Sequence, residues 1–405
     1  MSAKHMTEAN VRNKFVCLLA LLFPAGACFA GQSKYSSLPG FIAGEVIAGS
    51  SSPAGVTVDG DFIQHEKLSD DVQAYSFALD KNGLAHIFYY SGHEFKYAKW
   101  TGLSWSTQTI DSTDGFVPNA PSSIALDENN YPHIAYCNET QFALKYARWT
   151  GISWSTATVE RNEGSYTLAT GFYPSIGLDK NNNPHITYLD EQTGRLRYAK
   201  WTGKTWAIST VNSDQNINGP MAFDDKGYPH ISYCVYERKA IGYAKWTGVS
   251  WSTKTVEPDG DVTGIVSLII GKNGYPHIFY YEVIKDPVIE LANTGGGQWA
   301  FYKLKHAKWN GKAWKIEDVP LNGHLSPHCS ATLDKNDYPH IAYVNRENNI
   351  LTYAKWTGKT WETSVIGPAI GRGAVSLALD GKGAAHIVYY SGNEELLWIH
   401  KSKNQ

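Results

Sequence analysis

The chain has 405 residues, of which 13% are aromatic and only 18% charged, and its formal net charge is −2. A balance so near zero carries no basic footprint for nucleic acid. No apolar run beyond residue 30 is long enough to cross a bilayer as a helix, so a transmembrane segment is excluded too.

Residues 1–14 are polar and carry Lys4, Arg12 and Lys14, residues 15–23 form a short apolar run, and residues 24–30 are mostly small. That pattern reads as a secretory signal peptide over 1–30, cleaved after Ala30, and predicts a secreted or periplasmic protein. Lipid modification at Cys28 is the rival reading, but Ala25-Gly26-Ala27 lacks the usual leucine before the small pair. Residues 31–55 are rich in Gly, Ser and Pro and read as a linker.

From residue 56 to 405 one text recurs. In its second copy it reads LDENNYPHIAY, a variable gap, then LKYARWTGISWSTATV, and its histidine falls at His86, His133, His185, His230, His277, His340 and His386. A self-similar period of roughly 45–50 residues marks a propeller or solenoid. Each copy holds four short β-favouring segments bounded by Gly, Asn, Asp and Pro, which is strand and turn composition. The expectation is therefore an all-β, seven-bladed β-propeller of four-stranded antiparallel blades. The last copy stops after LLWIHK without a fourth strand, and residues 62–69 (FIQHEKLS) have strand character. An N-terminal strand completing the last blade would close the ring and remove exposed edges.

Loop lengths separate two faces. The Trp-to-Trp spacing is constant at Trp100/Trp105, Trp149/Trp154, Trp201/Trp206, Trp246/Trp251, Trp309/Trp314 and Trp356/Trp361. The step from the strand-one Asp (Asp80, Asp127, Asp179, Asp224, Asp334, Asp380) to its His is constant as well, and blade five keeps it with Gly271. Second-to-third loops and blade connections vary, with an insertion over 283–303. A scaffold that holds one side constant and varies the other places function on the variable side. The ligand-binding candidates there are Asn138, Glu139, Tyr166, Tyr173, Asp190, Glu191, Tyr236, Glu237, Trp299, Asn345, Arg346 and Glu347, groups suited to hydrogen-bonding and stacking on sugars.

The repeated chemical residues have structural readings. A His held inside its own blade explains every copy without a ligand, and equivalent strands point their side chains into separate interfaces, so no metal site and no cofactor is expected. The tryptophan pairs read as hairpin-end core, with sugar platforms between blades as the sharper alternative. The third-strand cations Lys99, Arg148, Lys200, Lys245, Lys308 and Lys355, with His400, read as partners of the strand-one Asp, against a polyanion belt. Asp-Lys-Asn-Gly supplies one carboxylate and reads as a turn, not a calcium loop. Outside the signal, Cys137, Cys234 and Cys329 are odd in number and read as small buried hydrophobes.

The LDxxGxPHIxY and YAKWTGxSW pieces resemble bacterial secreted propellers grouped with sialidase-like (BNR-type) repeats and with propeller lectins, over about residues 56–403. The sialidase box SxDxGxTW is absent, and Arg161, Arg195, Arg238, Arg346 and Arg372 are not grouped as an arginine triad. The leading reading is an exported, non-catalytic binding module for a glycan or a protein partner. The alternatives are a structural subunit of a surface assembly, or a polysaccharide lyase or glycoside hydrolase. For the enzyme, His93, His324 and His328 are candidate bases and Tyr166 or Tyr236 candidate acids.

Overall fold

The PHIxY segments form strands buried along their whole length, such as Pro132–Asn138 and Pro184–Asp190. Their near-continuous apolar run is what a strand covered on both faces requires. The computed structural model describes residues 62–401 apart from 65–66, 69–71, 116–120, 163–169, 213, 215, 218, 236, 259, 285–300, 324, 370–373, 392 and 394. The expected signal peptide, the linker and most of the 283–303 insertion lie outside the described residues.

Three blades follow the repeat closely. Blade 1 runs Ala74–Leu79, Ala85–Ser91, Glu94–Trp100 and Trp105–Ser112. Blade 2 is Ser122–Leu126, Pro132–Asn138, Ala143–Trp149 and Trp154–Arg161, and blade 3 is Thr170–Leu178, Pro184–Asp190, Arg195–Trp201 and Trp206–Thr210. Blade 4 has five strands, because both Asn216–Ile217 and Met221–Phe223 pair with Pro229–Val235 ahead of Ala240–Trp246 and Trp251–Glu257. The closing blade is Val375–Leu379, Ala385–Tyr390 and Leu396–Lys401, with Phe62–Gln64 as its outer strand. Phe62 pairs with Lys401, and Leu68 N donates to Leu396 O at 3.2 Å, which ties the two ends of the described chain together.

The expectation of seven blades is corrected by the region between blade 4 and the closing blade. There one eight-stranded sheet runs from Val262–Ile270 to Trp361–Pro368, so the described strands make five blades and this larger sheet. The join is the pairing of Tyr302 with Leu325. Phe301–Trp309 is nine residues long, whereas third strands elsewhere have seven or fewer, and it meets Leu325–Leu333, a first strand of nine residues like Thr170–Leu178. The insertion lengthens Phe301–Trp309 towards the loop face, where it meets the start of Leu325–Leu333. Recurrence of the repeat text therefore did not give separate sheets.

Packing between neighbours supplies the core. Phe88, Phe95, Ile134 and Tyr136 join blades 1 and 2, and Val388, Leu396 and Trp398 of the closing blade pack with Ile87 and Trp100 of blade 1. Polar staples cross the same junctions: Tyr136 Oη donates to Asp111 at 2.8 Å and Tyr188 Oη to Glu160 at 2.6 Å.

Near the axis, first strands are linked by serines four residues before the turn Asp. Ser123 Oγ accepts from Ile176 N (3.2 Å), Ser175 Oγ from Met221 N (3.1 Å) and Ser330 Oγ from Leu377 N (3.0 Å). Replacing any one by Ala leaves a half-buried backbone N–H without this acceptor, so we expect each variant to lose about 1 kcal/mol in urea unfolding. Unchanged midpoints would show that water takes over the bond.

Candidate functional site

The residues with the strongest chemical character are buried. Five of the repeat histidines place Nδ1 on a third-strand tyrosine hydroxyl: His86 on Tyr97 (2.7 Å), His133 on Tyr146 (2.6 Å), His185 on Tyr198 (2.5 Å), His230 on Tyr243 (2.5 Å) and His340 on Tyr353 (2.5 Å). Nε2 faces the strand-one carboxylate, from 3.3 Å at Asp224 to 4.0 Å at Asp127. The other carboxylate oxygen accepts the turn's own amides, as Asp80 does from Asn82 N and Leu84 N. Burial holds His86, His133, His185, His230 and His340 down to about 4, so the rings are neutral at ordinary pH. Each such triplet is enclosed within its own blade. His386 departs from it, stacking on Trp398 and His400.

The fifth repeat, within the eight-stranded sheet, departs as well. Its third-strand partner is His306, whose Nε2 lies 3.0 Å from His277 Nδ1. Gly271 leaves space that Asp337 of the next repeat fills, and Asp337 accepts from Lys272 N at 3.0 Å. Among the described residues no three His, Cys, Asp or Glu side chains are grouped as metal ligands, and no helix is long and apolar enough to cross a membrane. Cys137, Cys234 and Cys329 are free.

Of the loop-face candidates, Tyr166, Tyr236 and Trp299 lie outside the described residues, as do His324 and Arg372. Five others lie at the junction of blades 2 and 3. Tyr173, in a left-handed conformation (φ 48°), packs beside Phe172, Cys137 and Leu189. Burial, helped by the charges of Glu191 and Glu139, pushes its hydroxyl up to about 12. Asn138 is fully buried and caps the 3-10 turn Glu139–Gln141 by accepting from Gln141 N. Asp190 is turned into its own loop, accepting from Gln192 N and Thr193 Oγ1. Asn345 accepts from Glu347 N and donates to Asn322 O, and the positive charge of Arg346 reaches Tyr302. Glu237 is exposed, and His93 is exposed in the turn of blade 1 at φ 69°.

On the constant face, by contrast, a concave site recurs at two of the described junctions. Between blades 1 and 2 a groove of about 480 Å³ is lined by Tyr97, Lys99, Thr101, Ser106, Gln108 and, across the junction, Tyr131 and Trp149. Between blade 4 and the eight-stranded sheet a groove of about 300 Å³ is lined by the equivalent Tyr243, Lys245, Thr247, Ser252, Lys254, Tyr275 and Trp309, with Trp314 at its base. The hairpin builds these walls. Trp100 and Trp105 are directly paired and meet edge to face at 5.3 Å, and the pattern repeats at Trp149/Trp154 and Trp309/Trp314. The second Trp of a pair turns its edge to the tyrosine of the preceding blade, as Trp154 does to Tyr97 (5.0 Å) and Trp314 to Tyr243 (5.4 Å). That leaves the first Trp at the mouth. The cations are held by the turn carboxylates: Lys99 Nζ is 3.9 Å from Asp80 and Lys245 Nζ 2.9 Å from Asp224.

The sequence favours scaffold for this face because its spacing never changes, with sugar platforms between blades only as the alternative for its tryptophans. The available signal was the third residue after the second Trp, which varies as Gln108, Ala157, Ser209, Lys254, Glu317 and Ser364 inside an otherwise repeated hairpin.

No family model matches the sequence, and no curated protein matches it. Solved structures do. An ulvan lyase of polysaccharide lyase family PL25 is 14% identical, covering 85% of this chain and 96% of its own, with a TM-score of 0.58. Virginiamycin B lyase from Staphylococcus aureus, in a complex with quinupristin, is 10% identical over 84% of this chain and 98% of its own, with a TM-score of 0.53. The Aleuria aurantia lectin with alpha-methyl-L-fucoside is 15% identical over 75% and 97%, with a TM-score of 0.47. At these identities the likeness is one of fold: this chain has the propeller-like β architecture that the two lyases also use, with no family match to sialidase-type repeats.

Proposed function

We propose that the protein is a glycan-binding module and that the two equivalent inter-blade grooves are its binding sites. The observation that carries this reading is the duplicated wall set: an indole at the mouth, a tyrosine, an ammonium and side-chain hydroxyls around one concavity. An indole takes the C–H face of a pyranose, and the polar groups take its hydroxyls, the usual composition of a small-ligand site. A glycan array followed by calorimetry tests it. Trp149→Ala and Trp309→Ala should each weaken binding about tenfold or more, equivalent to roughly 1.4 kcal/mol, with the circular dichroism spectrum unchanged. Binding untouched in the double variant would overturn the reading.

A lyase is the second reading, favoured by the convergence of Tyr173, Glu139 and Glu191 on the loop face. A phenol held protonated beside two carboxylates suits a general acid. Formation of unsaturated ends from uronic polysaccharides, abolished by Tyr173→Phe, is its test.

A further inference from the structure

The two grooves differ at one wall position, and the difference changes what each can hold. In the groove between blades 1 and 2, Gln108 Oε1 accepts from Trp154 Nε1 at 2.7 Å, so that indole N–H is satisfied. In the groove beside blade 4 the same register position is Lys254, which has no acceptor to offer. Trp314 Nε1, the equivalent indole nitrogen, is buried without a hydrogen-bond partner among the described residues. The Lys254 ammonium has no carboxylate within ion-pair distance among those residues and lies 4.3 Å from the centre of the Trp309 ring. The neighbouring Lys245 is neutralised by Asp224 at 2.9 Å, and Thr247 Oγ1 is spent on Ser250 O within its own turn. What remains, besides the Ser252 and Tyr275 hydroxyls, is two donors at an aromatic surface, one of them charged, with no carboxylate or amide oxygen beside them as Gln108 provides in the other groove.

We propose that this second groove binds an acidic sugar. Its carboxylate or sulfate oxygens accept from Lys254 Nζ and Trp314 Nε1, and its ring lies on Trp309 once Lys254 swings off the indole. A buried N–H and an ammonium on an aromatic face gain most from an anionic acceptor. The groove holding Gln108, whose indole is already paired, takes the neutral counterpart. This inference rests on the glycan reading above and adds the ligand class of one site.

Calorimetry on the full chain, with uronic, sulfated and matched neutral saccharides chosen from an array, tests it. Lys254→Gln should weaken the acidic ligands at least tenfold and abolish the preference for them over the matched neutral saccharides. Gln108→Lys should add a second acidic site, read as a rise in stoichiometry. Equal affinity for acidic and neutral saccharides, or indifference to Lys254→Gln, overturns the inference while leaving glycan binding at Trp309 intact. If inorganic sulfate alone binds as tightly and Trp309→Ala changes nothing, the groove is a simple anion site and the inference falls. If no saccharide of any kind binds, the underlying glycan reading falls with it.

Discussion

The protein should unfold in mild acid, with a midpoint near pH 5 and the uptake of several protons. Buried His86, His133, His185, His230, His277 and His340 are each held down to about 4 by desolvation of the charged ring, and His306 to about 3. In the unfolded chain the same rings titrate near 6.5. Between those values the unfolded state binds more protons, so stability is fully present above about pH 6.5 and is lost as pH falls towards 4. At pH 5 one such ring costs about 2 kcal/mol, and six cost on the order of 10 kcal/mol, comparable with the whole stability of a typical domain.

Asp224, held down to about 2 by Lys245 and its turn amides against the cost of burial, destabilises only below the ordinary carboxylate range, so it does not set this midpoint. Urea unfolding at several pH values between 7 and 4.5 gives the slope. Flat stability across that interval would mean that the rings are protonated in the native protein, with both nitrogens donating, and would remove the neutral Tyr–His–Asp account.

Gly171→Ala should be the most damaging single methyl in blade 3. Its φ is +98°, and a Cβ there would lie 2.8 Å from the Leu144 Cα, a backbone atom of blade 2 that cannot yield like a flexible side chain. The backbone conformation costs a non-glycine residue about 1–3 kcal/mol, and overpacking adds about 1–3 kcal/mol. A loss on the order of 3 kcal/mol or more is expected. Gly203→Ala is the matched control: φ is +92° and nothing lies within 4 Å, so only the backbone cost applies. Equal losses in the two variants would contradict the close approach of blades 2 and 3. Gly171 also sits in the register shift between Thr170 and Phe172, which sets Tyr173 beside Glu139 and Glu191. The same substitution should therefore disturb the loop-face cluster, seen as a changed Tyr173 titration.

Several features were legible from residue order because they are local. Strand-and-turn periodicity depends on neighbours a few residues away, so the PHIxY strands and the paired tryptophans follow from spacing and composition. The turn Asp binding its own amides is equally local, since a short side chain reaches only the next few N–H groups.

Which copies become separate sheets is not local. A third strand lengthened to nine residues met the next first strand at Tyr302 and Leu325 and merged what the recurring text predicts as distinct units, and no pairwise spacing encodes that contact. The grooves are hidden in the same way. Lys254 and Trp309 are 55 residues apart and belong to different sheets, and only the packing of one against the other brings an ammonium to 4.3 Å from the indole. Repetition specified the blade, because a blade is made by hydrogen bonds between adjacent segments. The chemistry between blades came from tertiary packing, because an interface is made by side chains that the sequence keeps apart.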